Sequence, residues 1–72
     1  MDKITIGHDA GKIWLLLSNH KKWSCSDLKE KSGLKERELF AAIGWLAREN
    51  KIEIVQEADE LYVDLYVNVY IG

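Results

Sequence analysis

Three side chains in this sequence are able to act as nucleophiles or soft-metal ligands: His8, His20 and Cys25. Their spacing matches no ligand signature, since there is no Cys-x-x-Cys and no His-x-x-x-His. His8 precedes Asp9 and reads as a helix-start residue. His20 reads as a helix C-terminal residue, where partial positive charge is favoured. Cys25 lies just inside a capped helix start, a position that can lower a thiol pKa and would suit a thiol sensor. A small packed residue is the preferred reading of Cys25. No glycine-rich phosphate loop occurs, and no carboxylate pair stands in a recognisable cleft. The expectation is a chain that is not an enzyme, with no cofactor, no metal and no small-molecule ligand.

The chemistry that remains is electrostatic and aromatic. Net charge is only -2, but the charges are segregated. Residues 21–51 hold eight bases against five acids, whereas residues 52–72 hold five acids and no base. Lys21, Lys22, Lys29, Lys35, Arg37 and Arg48 are the candidate phosphate contacts. Phe40, Trp45, Tyr62, Tyr66 and Tyr70 are the candidate contacts for a protein partner, because aromatic rings are enriched at interfaces.

The elements that must carry these residues follow from periodicity. The chain has 72 residues, enough for one small domain over 1–72, and its 47% hydrophobic content makes a packed core plausible without staples. A lone cysteine allows no intrachain disulfide and fits a reducing cytoplasm. No signal peptide or membrane span is visible, the longest apolar run being Ile13 to Leu17. Lys3 to Gly7 is read as a short β-type segment with Ile4 and Ile6 on one face. A helix follows from about Asp9 to Asn19, with Ile6, Ala10, Ile13, Leu17 and His20 at spacings of three to four. Ser24 is a good N-cap for a second helix, with Asp27 completing a Ser-x-x-Asp box, and Gly33 suits its left-handed end.

A third helix is expected from about Lys35 to Glu49, with Leu39, Ala42, Ile43 and Leu46 inward. Glu38 is placed to reach back to the helix start, and Asn50 to end the helix in the left-handed region. Clean alternation then predicts a hairpin: Ile52 to Glu57, a polar turn, and a long strand from Leu61 to Ile71. Leu61, Val63 and Leu65 share one face with Val67, Val69 and Ile71, while Tyr62, Tyr66 and Tyr70 share the other. The expected core is Ile13, Leu17, Leu28, Leu39, Ile43, Leu46, Ile54, Leu61 and Val63.

This order describes an α+β winged helix-turn-helix: three helices, a C-terminal β-hairpin wing and a short N-terminal strand. The Ile13-Trp14 helix, WSCSDLKEKSGL, LFAAIGWLARENKIEI and ELYVDLYV resemble a family of small, stand-alone bacterial and archaeal winged helix-turn-helix proteins of unknown function. The resemblance spans nearly the whole chain. It implies binding of double-stranded DNA, a role generic to the fold. Winged helices also serve as protein-interaction and dimerisation modules.

The third helix would enter the major groove and presents Arg37, Ala41, Gly44 and Arg48 opposite its core stripe. Small residues between two arginines permit close approach to DNA or to another helix. Against DNA stand Glu36 and Glu38 in the first turn, and a wing tip of Gln56, Glu57, Ala58, Asp59 and Glu60 that would repel phosphate. DNA binding would then be weak and salt-sensitive, with the wing turned away. The final strand would reach about 36 Å, roughly twice its hairpin partner. Val67 to Ile71 therefore need another partner, supplied by Lys3 to Ile6 or by a second subunit. A homodimer is expected on that ground and from the tyrosine row.

Overall fold

The computed structural model describes residues 1–66. In chain order it contains α1 (Lys3–Leu17), β1 (Trp23–Ser24), α2 (Cys25–Ser32), α3 (Glu36–Arg48), β2 (Ile52–Glu57) and β3 (Glu60–Leu65). The strands form one antiparallel sheet in the order β1-β3-β2. In β2–β3, Ile54 stands opposite Val63 and Glu57 opposite Glu60; in β1–β3, Trp23 stands opposite Val63.

The segment expected as an N-terminal strand is helical. The Asp2 carboxylate accepts the Thr5 N–H at 2.8 Å, and the Asp2 carbonyl accepts the Ile6 N–H at 2.9 Å. This cap starts α1 six residues earlier than Asp9. It also moves His8 from a helix start to the helix interior. Ile6 lies a turn before Ala10, so it continues the buried stripe of Ala10, Ile13 and Leu17 rather than pairing with Ile4. α1 closes at Leu17, short of Asn19, and His20 then takes φ 62 with its N–H on the Leu17 carbonyl at 3.0 Å. The third strand of the sheet is β1, in the α1–α2 connection. Asn19 shapes that connection by accepting the Lys21 N–H at 3.0 Å and the Trp23 indole N–H at 3.2 Å.

The other helix ends follow the expected chemistry. Ser24 Oγ accepts the Asp27 N–H at 3.1 Å, and Gly33 closes α2 at φ 73 with its N–H on the Lys29 carbonyl. The Glu38 carboxylate accepts the Lys35 N–H at 2.8 Å, so it satisfies a donor at the start of α3 although Lys35 has no acceptor to offer in return. Asn50 sits at φ 57. Its N–H reaches the Ala47 carbonyl while the Lys51 N–H reaches the Leu46 carbonyl, the paired bonds of a Schellman end.

One core joins helices and sheet. Ile13 and Leu17 of α1, Leu28 of α2, Leu39, Ala42, Ile43 and Leu46 of α3, and Val63 of β3 are buried. Leu61 packs against that core only partly buried, and Ile54 does not join it at 45% exposure. Both face the same side as Val63. The difference is position: Val63 is on the central strand, with a neighbour on either side, while Ile54 is on the edge. Ile52, at the helix end of β2, is the buried residue of that strand.

Candidate nucleic-acid interface

α3 buries one side and leaves a polar side outside. Arg37, Gly44 and Arg48 are exposed and Ala41 is half-buried, forming a stripe along the helix. A Cβ added at Gly44 would meet nothing within 4 Å, so the backbone is open to close approach there. Phe40 borders this stripe on the wing side and Trp45 on the α1 side, at 41% and 36% exposure. Trp45 is braced against α1: its ring edge would lie 3.9 Å from a Cβ on Gly7.

The six basic candidates divide by what surrounds them. Lys22 Nζ donates to both carboxylate oxygens of Glu57 at 3.1 Å and lies 4.9 Å from the centre of the Tyr62 ring. Its charge is turned toward the sheet. Lys29 lines an open cleft between α2, α3 and the wing tip, facing Glu36, Asp59 and Glu60. Lys21, Lys35, Arg37 and Arg48 are exposed and make no ion pair among the described residues. Lys35 and Arg37 sit together at the α3 N-terminus, with Arg48 at the other end.

The acidic wing is tied inward at two points. Glu57 holds Lys22, and Glu60 accepts from the Ser26 N–H and hydroxyl at 3.2 Å. Glu60 thereby neutralises donors in the first turn of α2, where a carboxylate is favoured by the helix dipole. No local pattern could reveal these bonds, because they join residues 34 and 35 positions apart. Asp59 remains exposed at the tip, on the wing side of Phe40.

Cys25 is 8% exposed behind this contact. Burial first, and then the Glu60 charge, push its thiol above the ordinary value. The lowered pKa that a helix start suggests is therefore reversed, and a thiol sensor loses its basis. Of the aromatic candidates, Tyr62 lies half-buried under Lys22 and Tyr66 is 44% exposed. Tyr70 and the strand expected over Val67 to Ile71 lie outside the described residues.

Comparison with known proteins agrees with the fold. Residues 1–65 match the family described as winged helix-turn-helix domain (DUF2582). The chain belongs to that family. The uncharacterized protein MJ1608 of Methanocaldococcus jannaschii is 38% identical, over 83% of this chain and 89% of its own. The solution NMR structure of protein BT2368 from Bacteroides thetaiotaomicron superposes with a TM-score of 0.80 at 35% identity, covering 90% of this chain and 79% of that one. No helix among the described residues is long and apolar enough to cross a membrane.

Proposed function

We propose that the protein binds double-stranded DNA weakly and without strong sequence preference, through α3 and with the wing tip turned from the duplex. Binding rather than catalysis is the proposed role, in a reducing cytoplasm where the lone thiol stays free. The observation that carries the reading is the set Lys35, Arg37 and Arg48. These cations are exposed, unpaired among the described residues, and set along a helix whose middle is open at Gly44. Lys21 and Lys29 are outlying phosphate contacts, while Lys22 is engaged by Glu57 and contributes least.

Few phosphate contacts and a nearby acidic cleft set the affinity. Non-specific dissociation constants of about 10⁻⁴ to 10⁻⁶ M at physiological salt are expected. A salt titration against random-sequence duplex tests this. Arg37→Ala and Arg48→Ala should each weaken binding to all sequences alike and reduce the salt slope by about 1.

A second reading has its own support. Phe40 and Trp45 are exposed on either side of α3, and the Phe40 side is lined by Glu36, Asp59 and Glu60. Such a face suits a protein partner better than a phosphate chain. Absence of binding at low salt, or indifference to both arginine substitutions, would transfer the role to a protein-interaction module.

A further inference from the structure

On α1, the side turned away from the core carries two large apolar residues, Ile4 and Leu15, with His8 and Gly11 between them and the exposed Lys12 at its border. At about 100° per residue, Ile4, His8, Gly11 and Leu15 fall within roughly 60° of one another. They lie opposite Ala10, Ile13 and Leu17. Ile4 is 84% exposed and Leu15 67%. This is where a helix on a small domain ordinarily carries charge. Trp14, at 44% exposure, joins the ridge to Trp45 across a groove floored by Gly7 and Gly11 and lined also by Glu49 and Lys51.

From these exposures, Ile4, Trp14 and Leu15 together leave on the order of 400 Å² open. That lies within the ~300–600 Å² of the largest apolar patch on a typical monomer, a patch that is often functional. It is about half of the ~800 Å² per partner of a standard interface, so the pair is a modest one.

We propose that α1 is a homodimer interface, in which the Ile4-His8-Gly11-Leu15 ridge packs antiparallel against the same ridge of a second copy. The ridge permits a two-fold axis, and shape and charge then favour a second copy in this orientation. The positions 4, 8, 11 and 15 have the gaps four, three, four, as do 6, 10, 13 and 17 and also 37, 41, 44 and 48, so the spacing allows such an axis without selecting it. A two-fold axis at the middle of the ridge therefore sets Ile4 on the partner's Leu15 and His8 on the partner's Gly11. Such self-complementarity is what an isologous interface requires.

Next, the shapes match. A Cβ at Gly11 would meet nothing within 4 Å in one chain, so Gly11 leaves a hole for the imidazole that the axis brings to it.

Lastly, the charges agree. The last turn of α1 has no basic residue, and the antiparallel arrangement brings the partner's Lys3 to that end, near Trp14. A parallel pair would instead set Lys3 on Lys3 and Lys12 on Lys12, with like dipole ends together. The ridge shares no residue with the tyrosine row or with Arg37, Ala41, Gly44 and Arg48, so variants at Ile4 and Leu15 read the dimer without touching the α3 contacts.

Sedimentation equilibrium on the full chain tests the assignment over roughly 10 µM to 1 mM, the range a modest interface implies. The wild-type mass should rise toward that of two chains. Ile4→Glu alone and Leu15→Lys alone should each hold the protein at one chain, with circular dichroism unchanged because both positions are exposed. Gly11→Leu should do the same, since its side chain enters open space in one chain and blocks the hole in the pair. The double variant Ile4→Glu with Leu15→Lys should associate again, because each new carboxylate meets a new ammonium across the axis. A wild type that remains one chain at the highest concentration overturns the proposal. So does a dimer that survives the single variants, one dissolved by Tyr66→Asp alone, or a double variant that stays monomeric.

Discussion

α1 and α3 pack on each other, have similar lengths and bury the same kind of stripe, yet their outer sides differ. Ala10, Ile13 and Leu17 face inward from α1, as Leu39, Ala42, Ile43 and Leu46 do from α3. Outside, α3 carries Arg37 and Arg48, while α1 carries Ile4 and Leu15. The inner sides answer to one requirement, closing a common core. The outer sides are free of that requirement, so their composition reports what each surface meets. Charged heads spaced along α3 suit a polyanion, and an apolar ridge along α1 suits another apolar ridge.

If the inner sides are equivalent, Ile13→Ala and Leu46→Ala should be equally severe. Each leaves a cavity as well as losing transfer energy, for a cost of about 2–5 kcal/mol by urea denaturation. A much cheaper loss at either position would show that one helix is only loosely docked. On the outer sides the two helices should separate completely. Arg37→Ala with Arg48→Ala should weaken duplex binding roughly tenfold or more at low salt by fluorescence anisotropy, with stability within about 0.5 kcal/mol of the parent. Leu15→Lys should leave the salt slope of the monomer's α3 contacts in place.

The C-terminal ends give a smaller contrast. Both helices are followed by a residue of positive φ, His20 at 62° after α1 and Asn50 at 57° after α3. His20→Gly should stabilise by about 0.5–1 kcal/mol, and Asn50→Gly by less, because asparagine already tolerates that region. Thermal melts of the two variants decide the order. The smallest effect lies at the start of α1. The Thr5 N–H bonded to Asp2 holds that carboxyl below its ordinary value of 3.8. Its contribution is present above that value and fades as pH falls through the lower folded one. Protection of the Thr5 amide, taken relative to its intrinsic exchange rate at each pH, should therefore fall on acidification before that of Ile13 does.

Much of the fold was legible because its signals are long or chemically specific. Thirteen helical residues with one inward stripe define α3, and the alternation through Ile52 to Leu65 defines the hairpin. Gly33, Asn50 and Glu38 are single residues, but each has one conformational or capping use that suits its place. The first turn of α1 was misread because Ile4 and Ile6 fit a two-residue period as well as the start of a helix. Asp2, with its acceptor three residues before Thr5, was the discriminating signal. β1 has two residues and hence no period at all.

The candidate interface was legible as a set of cations but not as a distribution. That Lys22 spends its charge on Glu57, and that Glu60 caps α2, depends on the sheet bringing distant segments together. The α1 ridge was hidden for another reason: inward and outward apolar residues look alike until the core is drawn.

The strand order has a consequence for how the chain is made. β3 is the central strand and the last described element in chain order, whereas both of its neighbours precede it. During synthesis β1 and β2 emerge without any strand to pair with. At about 5–20 residues per second, β1 waits a few seconds for its partner. The helices can begin to collect around Leu28 and Leu46 in that interval, but Val63 arrives late to seal them. Completion is thus a single closing event in which one strand docks between two waiting edges.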